Sequence, residues 1–189
     1  MQVNIEHGLQ RLRAMALLTF GARAAAEDVF SAMLVRWPDD AYALASRAHV
    51  RAELGRRSQA IADLQQLVAA HPDRSAAHWF NLAFLLEAAE RFDEAESAFR
   101  RATVLDPGLD RAWYGLALIL IRQRRLDDAV AALKRNTELQ PMSPYGWYQL
   151  ARVQADRQQT DEARKIIRHL KGFEPKVADQ LVRETGLKP

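Results

Sequence analysis

Residues 79–107 read WFNLAFLLEAAERFDEAESAFRRATVLDP, and the spacing inside this stretch decides the fold. Ala83 and Ala95 lie twelve apart, Phe99 follows Ala95 by four, and Pro107 follows Ala95 by twelve. The i, i+4 step puts Ala95 and Phe99 on one helix face, pointing into a seam between helices. A proline after an amphipathic run cannot continue the helix, so Pro107 closes the unit and starts a turn. The stretch therefore predicts two helices of roughly 12–15 residues joined by a short turn.

Outward from it, the same markers recur in both directions. Pro38, Pro72, Pro107, Pro141 and Pro175 follow one another at 34, 35, 34 and 34 residues. Ala26, Ala60, Ala95, Ala129 and Ala163 each precede one of them by twelve, and Ala14, Ala48, Ala83, Ala117 and Ala151 precede those by a further twelve. Trp79, Trp113 and Trp147 are also 34 apart. Large apolar residues (Phe30, Leu64, Phe99, Leu133, Ile167) stand four after the second alanine of each unit. An alanine where helices cross lets backbones approach, and a larger side chain there typically costs about 1–3 kcal/mol. Gly21 and Gly55 mark the turn inside the first two units, and the one extra residue falls in the loop at 71–75. A period of this length is the mark of a repeat array. The repeats are placed at 7–40, 41–75, 76–109, 110–143 and 144–177, with an N-terminal stub at 1–6. The tail at 178–189 has a short apolar stripe in Val177, Leu181 and Val182 and is read as a capping helix.

Composition narrows the function classes. A net charge of +3 and a sequence pI near 9.4 describe a slight basic excess, not the dense positive stripe of a dedicated nucleic-acid binder. There is no cysteine, which removes disulfides and thiolate metal sites. No run approaches the roughly 20 apolar residues of a membrane helix, so no membrane insertion is expected. The N-terminus is interrupted by charge and does not read as a signal peptide. A cytoplasmic location is the expectation, or a periplasmic one if a leader has been removed. Arginine exceeds lysine and alanine is abundant, as a GC-rich bacterial genome would produce. The five histidines are scattered, and no carboxylate joins His71 and His78 at ligand spacing, so no metal or other cofactor is expected. The pairs Asp93-Glu94, Asp127-Asp128 and Asp161-Glu162 open second helices, where they favour the positive end of the helix dipole. No phosphate loop, nucleophile elbow or catalytic pair is found, and the repeats leave no room for a catalytic domain.

Trp79, Leu82, Ala83, Ala95, Phe99, Ala102 and Pro107 closely resemble the signature of the tetratricopeptide repeat family. Trp113, Leu116, Ala117, Ala129 and Pro141 repeat it, as do Trp147, Leu150, Ala151, Ala163 and Pro175. The first two repeats depart from it at Gln10, Arg13, Leu44 and Arg47, and Asn136 replaces a usual alanine. Polar residues in the first repeat fit a terminal unit, whereas Arg47 has no rationale in the sequence. The resemblance implies an all-α, right-handed solenoid of stacked antiparallel helix pairs. It also implies a non-catalytic scaffold or adaptor that holds a protein partner on a concave face lined by first helices.

Carrying the family's inner positions over gives Tyr42, His49, Phe80, Asn81, Phe84, Arg111, Tyr114, Arg122, Tyr145, Tyr148 and Arg152 as partner-binding candidates. Aromatic residues and arginine are the types that anchor interfaces. Some of these rings, Phe84 among them, have packing against a neighbouring repeat as the alternative. The expected ligand is an extended segment or a helix with apolar anchors and an acidic group for Arg111 or Arg152. A chaperone-carboxylate clamp is disfavoured: Asn81 and Arg111 match it, but Ala45, His49 and Gly115 do not. Two other readings stand beside the scaffold, a bacterial secretion or pilus-assembly chaperone and a binder of single-stranded RNA. The balanced charge argues against nucleic acid. Self-association is a further expectation, through Ile5, Leu9 and Leu12 on the first helix.

Overall fold

A computed structural model describes residues 2–189, and from residue 5 onward their side chains; residue 1 of the expected stub lies outside the described residues. The described residues form eleven helices: α1 (Gln2–Thr19), α2 (Arg23–Arg36), α3 (Ala41–Glu53), α4 (Arg57–Ala70), α5 (Ala76–Ala88), α6 (Phe92–Leu105), α7 (Asp110–Arg122), α8 (Leu126–Leu139), α9 (Pro144–Asp156), α10 (Thr160–Lys171) and α11 (Pro175–Thr185). No strand occurs among them. The chain divides into two compact units, residues 1–94 and 95–189. In the first unit α1 packs on α2, α2 on α3, α3 on α4 and α4 on α5. In the second, α7 packs on α8, α8 on α9, α9 on α10, and α11 on both α9 and α10. No glycine or proline precedes His7, so α1 runs back without a break to Gln2.

Ten alanines hold the register. Ala14, Ala26, Ala48, Ala60 and Ala83 in the first unit, and Ala95, Ala117, Ala129, Ala151 and Ala163 in the second, are all 2% exposed or less. The large residues four after the second alanine (Phe30, Leu64, Phe99, Leu133, Ile167) are buried beside them. The tryptophans have a bonding role as well as a packing one. The indole N–H of Trp79 donates to the carbonyl of Pro72 at 2.7 Å, that of Trp113 to Pro107 at 3.0 Å, and that of Trp147 to Pro141 at 2.9 Å. Each bond ties a first helix to the proline that closes the preceding repeat. Trp79 lies one residue farther from its proline than the others do, so the loop insertion is absorbed without losing the bond.

The turn inside each pair places one residue in left-handed backbone. Gly21 and Gly55 have φ of 73° and 75°, and Glu90, Arg124 and Gln158 occupy the same register position at 60°, 60° and 62°. The next residue's N–H returns to a carbonyl five residues back: Ala22 to Leu17, Arg56 to Arg51, Arg91 to Leu86, Arg125 to Leu120 and Gln159 to Gln154, at 2.8–2.9 Å. This is the bond that closes a helix end around a left-handed residue. Glycine adopts that backbone freely, while the other three residues bear a cost of roughly 1–2 kcal/mol each. Only two of the five turns therefore show in the sequence as glycine.

Arg47, unexplained by the sequence, belongs to a buried ionic cluster in the first unit. Its guanidinium donates twice to Asp63, at 2.6 and 3.0 Å, and once to Ser31 Oγ at 3.2 Å. Arg51 donates to both Asp63 oxygens at 2.9 Å and to Glu27 at 2.9 Å, and Arg56 reaches Glu27 from the surface. Asp63 is 3% exposed and Glu27 is buried. One repeat on, the same register positions hold Ile61 for Glu27, Leu82 for Arg47, Leu86 for Arg51 and Ala98 for Asp63. Two arginines and two carboxylates thus replace an apolar seam as a matched set, which satisfies each buried charge.

A second matched exchange accounts for Asn136. Its amide donates to the carbonyl of Asp110 at 3.0 Å, and the Oδ1 atom sits where a Cβ on Gly146 would approach to 2.1 Å. The larger residue on α8 is accommodated by the smallest residue on α9. Likewise Gly115 on α7 admits the Phe99 ring, which a Cβ would meet at 2.4 Å.

Removing Asp63 leaves Arg47, a largely enclosed guanidinium, without its carboxylate and takes one of the two carboxylates from Arg51. Asp63→Ala is expected to destabilise the chain by about 3–5 kcal/mol. The joint replacement Glu27→Ile, Arg47→Leu, Arg51→Leu and Asp63→Ala is expected to recover most of that loss. Urea unfolding followed by circular dichroism measures both, and an Asp63→Ala chain as stable as its parent would refute the account.

Candidate interaction surface

First helices carry the candidate residues, and each unit presents its own group. In the first unit α3 supplies Tyr42 and His49, and α5 supplies Phe80, Asn81 and Phe84. Asp40 caps α3 by accepting from the Ala43 N–H at 2.7 Å, and Ser75 caps α5 through Ala77 at 3.2 Å. These caps set where each helix begins and so which residues share its outer face.

Tyr42 is half-buried. Its ring meets Phe30 edge to face at 6.0 Å, and the Arg11 guanidinium lies over it at 4.0 Å. His49, Asn81 and Phe84 come together around an open recess of about 250 Å³. Its floor is Ala45, Ala48, Ala52, Leu64 and Leu85. Phe80 and Phe84 lie nearly parallel on the same helix, with ring centres 6.5 Å apart, and Phe84 is 57% exposed. His49 stands 3.6 Å from Glu53. Arg23 donates to Glu53 at 2.6 Å and holds that carboxyl below its ordinary range. His71 is engaged with the Asp39 carbonyl at 2.7 Å, and burial keeps the His78 imidazole below its usual range, with Arg74 and His71 adding to the shift.

In the second unit α7 carries Arg111, Tyr114 and Arg122; Tyr114 is half-buried and the two arginines are exposed, one toward each end of the helix. On α9, Tyr145 is 71% exposed, and Tyr148 and Arg152 face the C-terminal helix. The Tyr148 hydroxyl donates to Glu184 at 2.6 Å, Gln180 donates to Glu184 at 2.8 Å, and Arg152 Nε stands 4.0 Å from the same carboxylate. The Arg152 guanidinium also lies 5.6 Å from the Tyr148 ring centre. On either side of this bridge the furrow between α9 and α11 opens into a recess. One, of about 420 Å³, is lined by Pro144, Tyr145, Tyr148, Glu174, Val177 and Gln180. The other, of about 440 Å³, is lined by Arg152, Ala155, Asp156, Glu184 and Thr185.

Sequence reasoning missed the residues of α11 in this furrow, because the tail reads only as a cap. The i, i+4 pair Gln180 and Glu184, beside the buried stripe Ala178 and Leu181, is the pattern of a helix with a second, polar face. Of the recess floor, Ala48 and Leu64 were also missed as surface residues, since both read as packing alone. No helix of the described residues is long and apolar enough to cross a membrane.

Burial and the neighbouring Glu184 carboxylate both push the Tyr148 phenol up, since each disfavours the phenolate. Glu184 is held below its usual range, first by the Tyr148 hydroxyl and next by Gln180. The sign follows for each: the Glu184 contribution is lost as pH falls through the depressed carboxyl, and the Tyr148 contribution as pH rises through the raised phenol. Tyr148 is expected to titrate above the ordinary tyrosine range, and Glu184→Gln to bring it down. The ring Cζ resonance followed against pH checks this; an unmoved titration would show that the two groups do not interact.

Two models of the tetratricopeptide repeat match the chain, at residues 45–110 and 86–148, and together they span more than half of it. No curated protein sequence matches it. Among solved structures, MamA aligns over 91% of this chain and 93% of its own at 20% identity, with a TM-score of 0.82. YrrB, described as a TPR protein with an unusual peptide-binding site, aligns over 90% and 88% at 17% identity and 0.80. PilF of Pseudomonas aeruginosa aligns over 97% and 92% at 18% identity and 0.69. At such identities the likeness is one of fold. With the 34-residue register, the buried alanine columns and the tryptophan-to-proline bonds, these matches place the chain in the tetratricopeptide repeat family.

Proposed function

We propose that the chain is a non-catalytic protein-interaction scaffold whose first helices bind a peptide or helix of a partner protein. The observation that carries this reading is the exposure of Phe84 and Tyr145, each beside an open recess. An aromatic ring left in water at the rim of an apolar recess is the arrangement a partner side chain completes. His49 and Asn81 add polar groups beside Phe84, and Arg111, Arg122 and Arg152 supply positive charge in the second unit. A peptide with apolar anchors and an acidic group suits both sets. Tyr42 serves packing as well, through Phe30 and Arg11.

Peptides selected on the full chain from a displayed library test this directly. Phe84→Ala combined with Tyr145→Ala is expected to weaken the selected peptides at least tenfold, about 1.4 kcal/mol, with the thermal melt unchanged. Undiminished affinity in the double variant would remove these faces from the binding role.

Self-association is a second reading, favoured by α1. Ile5, Leu9 and Leu12 form an apolar stripe at 59%, 60% and 63% exposure. In this reading a second copy covers the stripe. Light scattering at rising protein concentration is expected to show a larger species that Leu9→Glu abolishes, and a mass that stays monomeric throughout rejects it.

A further inference from the structure

The bridge between α9 and α11 has features that capping does not require. Ala178 and Leu181 are the residues of α11 that bury fully, with Val177 and Val182 half-buried beside them, and this apolar stripe closes the end of the last repeat. Gln180 and Glu184 lie on the flank of the helix beside that stripe, at the mouth of the furrow, and meet Tyr148 and Arg152. Glu184 also occupies the last turn of α11, where a carboxylate faces the negative end of the helix dipole. A residue placed against its helix's own preference is held by what it touches across the gap. What it touches is a hydroxyl donor and a guanidinium on a first helix, the donor set that recognises a carboxylate.

We propose that Tyr148 and Arg152 form a carboxylate-recognition subsite, occupied in the free chain by its own Glu184, which an acidic side chain of a bound helical peptide replaces. The inference rests on the peptide-binding reading above and names the chemistry of one end of that ligand. Within the subsite itself one carboxylate leaves as another enters, so Tyr148 and Arg152 keep a carboxylate partner throughout. All three partners of the bridge reach solvent, so Glu184 can swing out while Leu181 stays seated. Once it does, the recesses at Tyr145 and at Ala155 join into one furrow along α9. Peptide then lies beside α11, with its apolar anchors against Tyr145 and Val177 and its acid at Arg152. Glu184 thus acts as a tethered competitor, and apparent affinity falls with the fraction of chains in which it holds the subsite.

The probe is a synthetic amphipathic helical peptide of about fifteen residues, roughly four turns, with glutamates along one face, and a twin carrying glutamines instead. Affinity for the full chain is measured by fluorescence anisotropy, and the Arg152 side-chain Nε–H resonance reports occupancy of the subsite. Glu184→Ala, at an exposed position that leaves Ala178 and Leu181 in place, is expected to bind the acidic peptide about tenfold tighter than the parent, as removing a competitor present about nine-tenths of the time would do. The glutamine twin is expected to show no such gain, and Tyr148→Phe or Arg152→Gln in the Glu184→Ala chain to erase it. Equal affinity for parent and variant, a gain shared by the twin, or an unmoved Arg152 resonance overturns the proposal. If library-selected peptides still depend on Phe84 and Tyr145 in that event, the scaffold reading stands and the carboxylate subsite alone falls.

Discussion

Close approach of helix backbones at ten alanines is the constraint on which the other features depend. A methyl group at each crossing leaves no room for a larger side chain, so the helices of a pair can meet in only one register. The rest follows that register: a buried Phe, Leu or Ile one turn on, in the last three repeats a tryptophan bonded to the proline before it, and a left-handed residue closing each first helix. A repeat built this way contacts only its neighbours, and its stability is a sum of local terms.

The departures from the family pattern come as compensated sets. Arg47 and Arg51 in apolar positions are matched by Asp63 and Glu27, and Asn136 is matched by Gly146. Neither set is visible position by position, because each substitution read alone is unfavourable. A buried guanidinium needs a carboxylate and an enlarged side chain needs space, and both needs are met from another helix. The ionic set is confined to the first unit, whose seam is therefore directional where an apolar seam is not.

At the interaction surface, the register assigned residues to first helices, and packing then divided their roles. Phe84 and Tyr145 remain in water beside recesses, whereas Tyr42 is held by Arg11 and Phe30, and Tyr148 by Glu184. Tyr42 and Tyr145, which share one register column, thus differ in availability because their neighbours differ. The C-terminal helix borders this candidate surface as well as capping the last repeat, since Ala178 and Leu181 are buried while Gln180 and Glu184 reach Tyr148 and Arg152 on α9.

By itself the sequence determined the helix pairs, their 34-residue register and the burial of the alanine columns, because local periodicity and steric fit at helix crossings are written in consecutive residues. Its reading of Gly21 and Gly55 as turns extends in the backbone to Glu90, Arg124 and Gln158, where no residue type announces it. Tertiary structure alone decided that Arg47 is paired with the buried Asp63, that Gly146 makes way for Asn136, and that Glu184 stands in front of Tyr148 and Arg152. The physical reason is common to all three. Hydrogen bonds and ion pairs join residues far apart in the chain, so their partners are known only once the helices have been brought side by side.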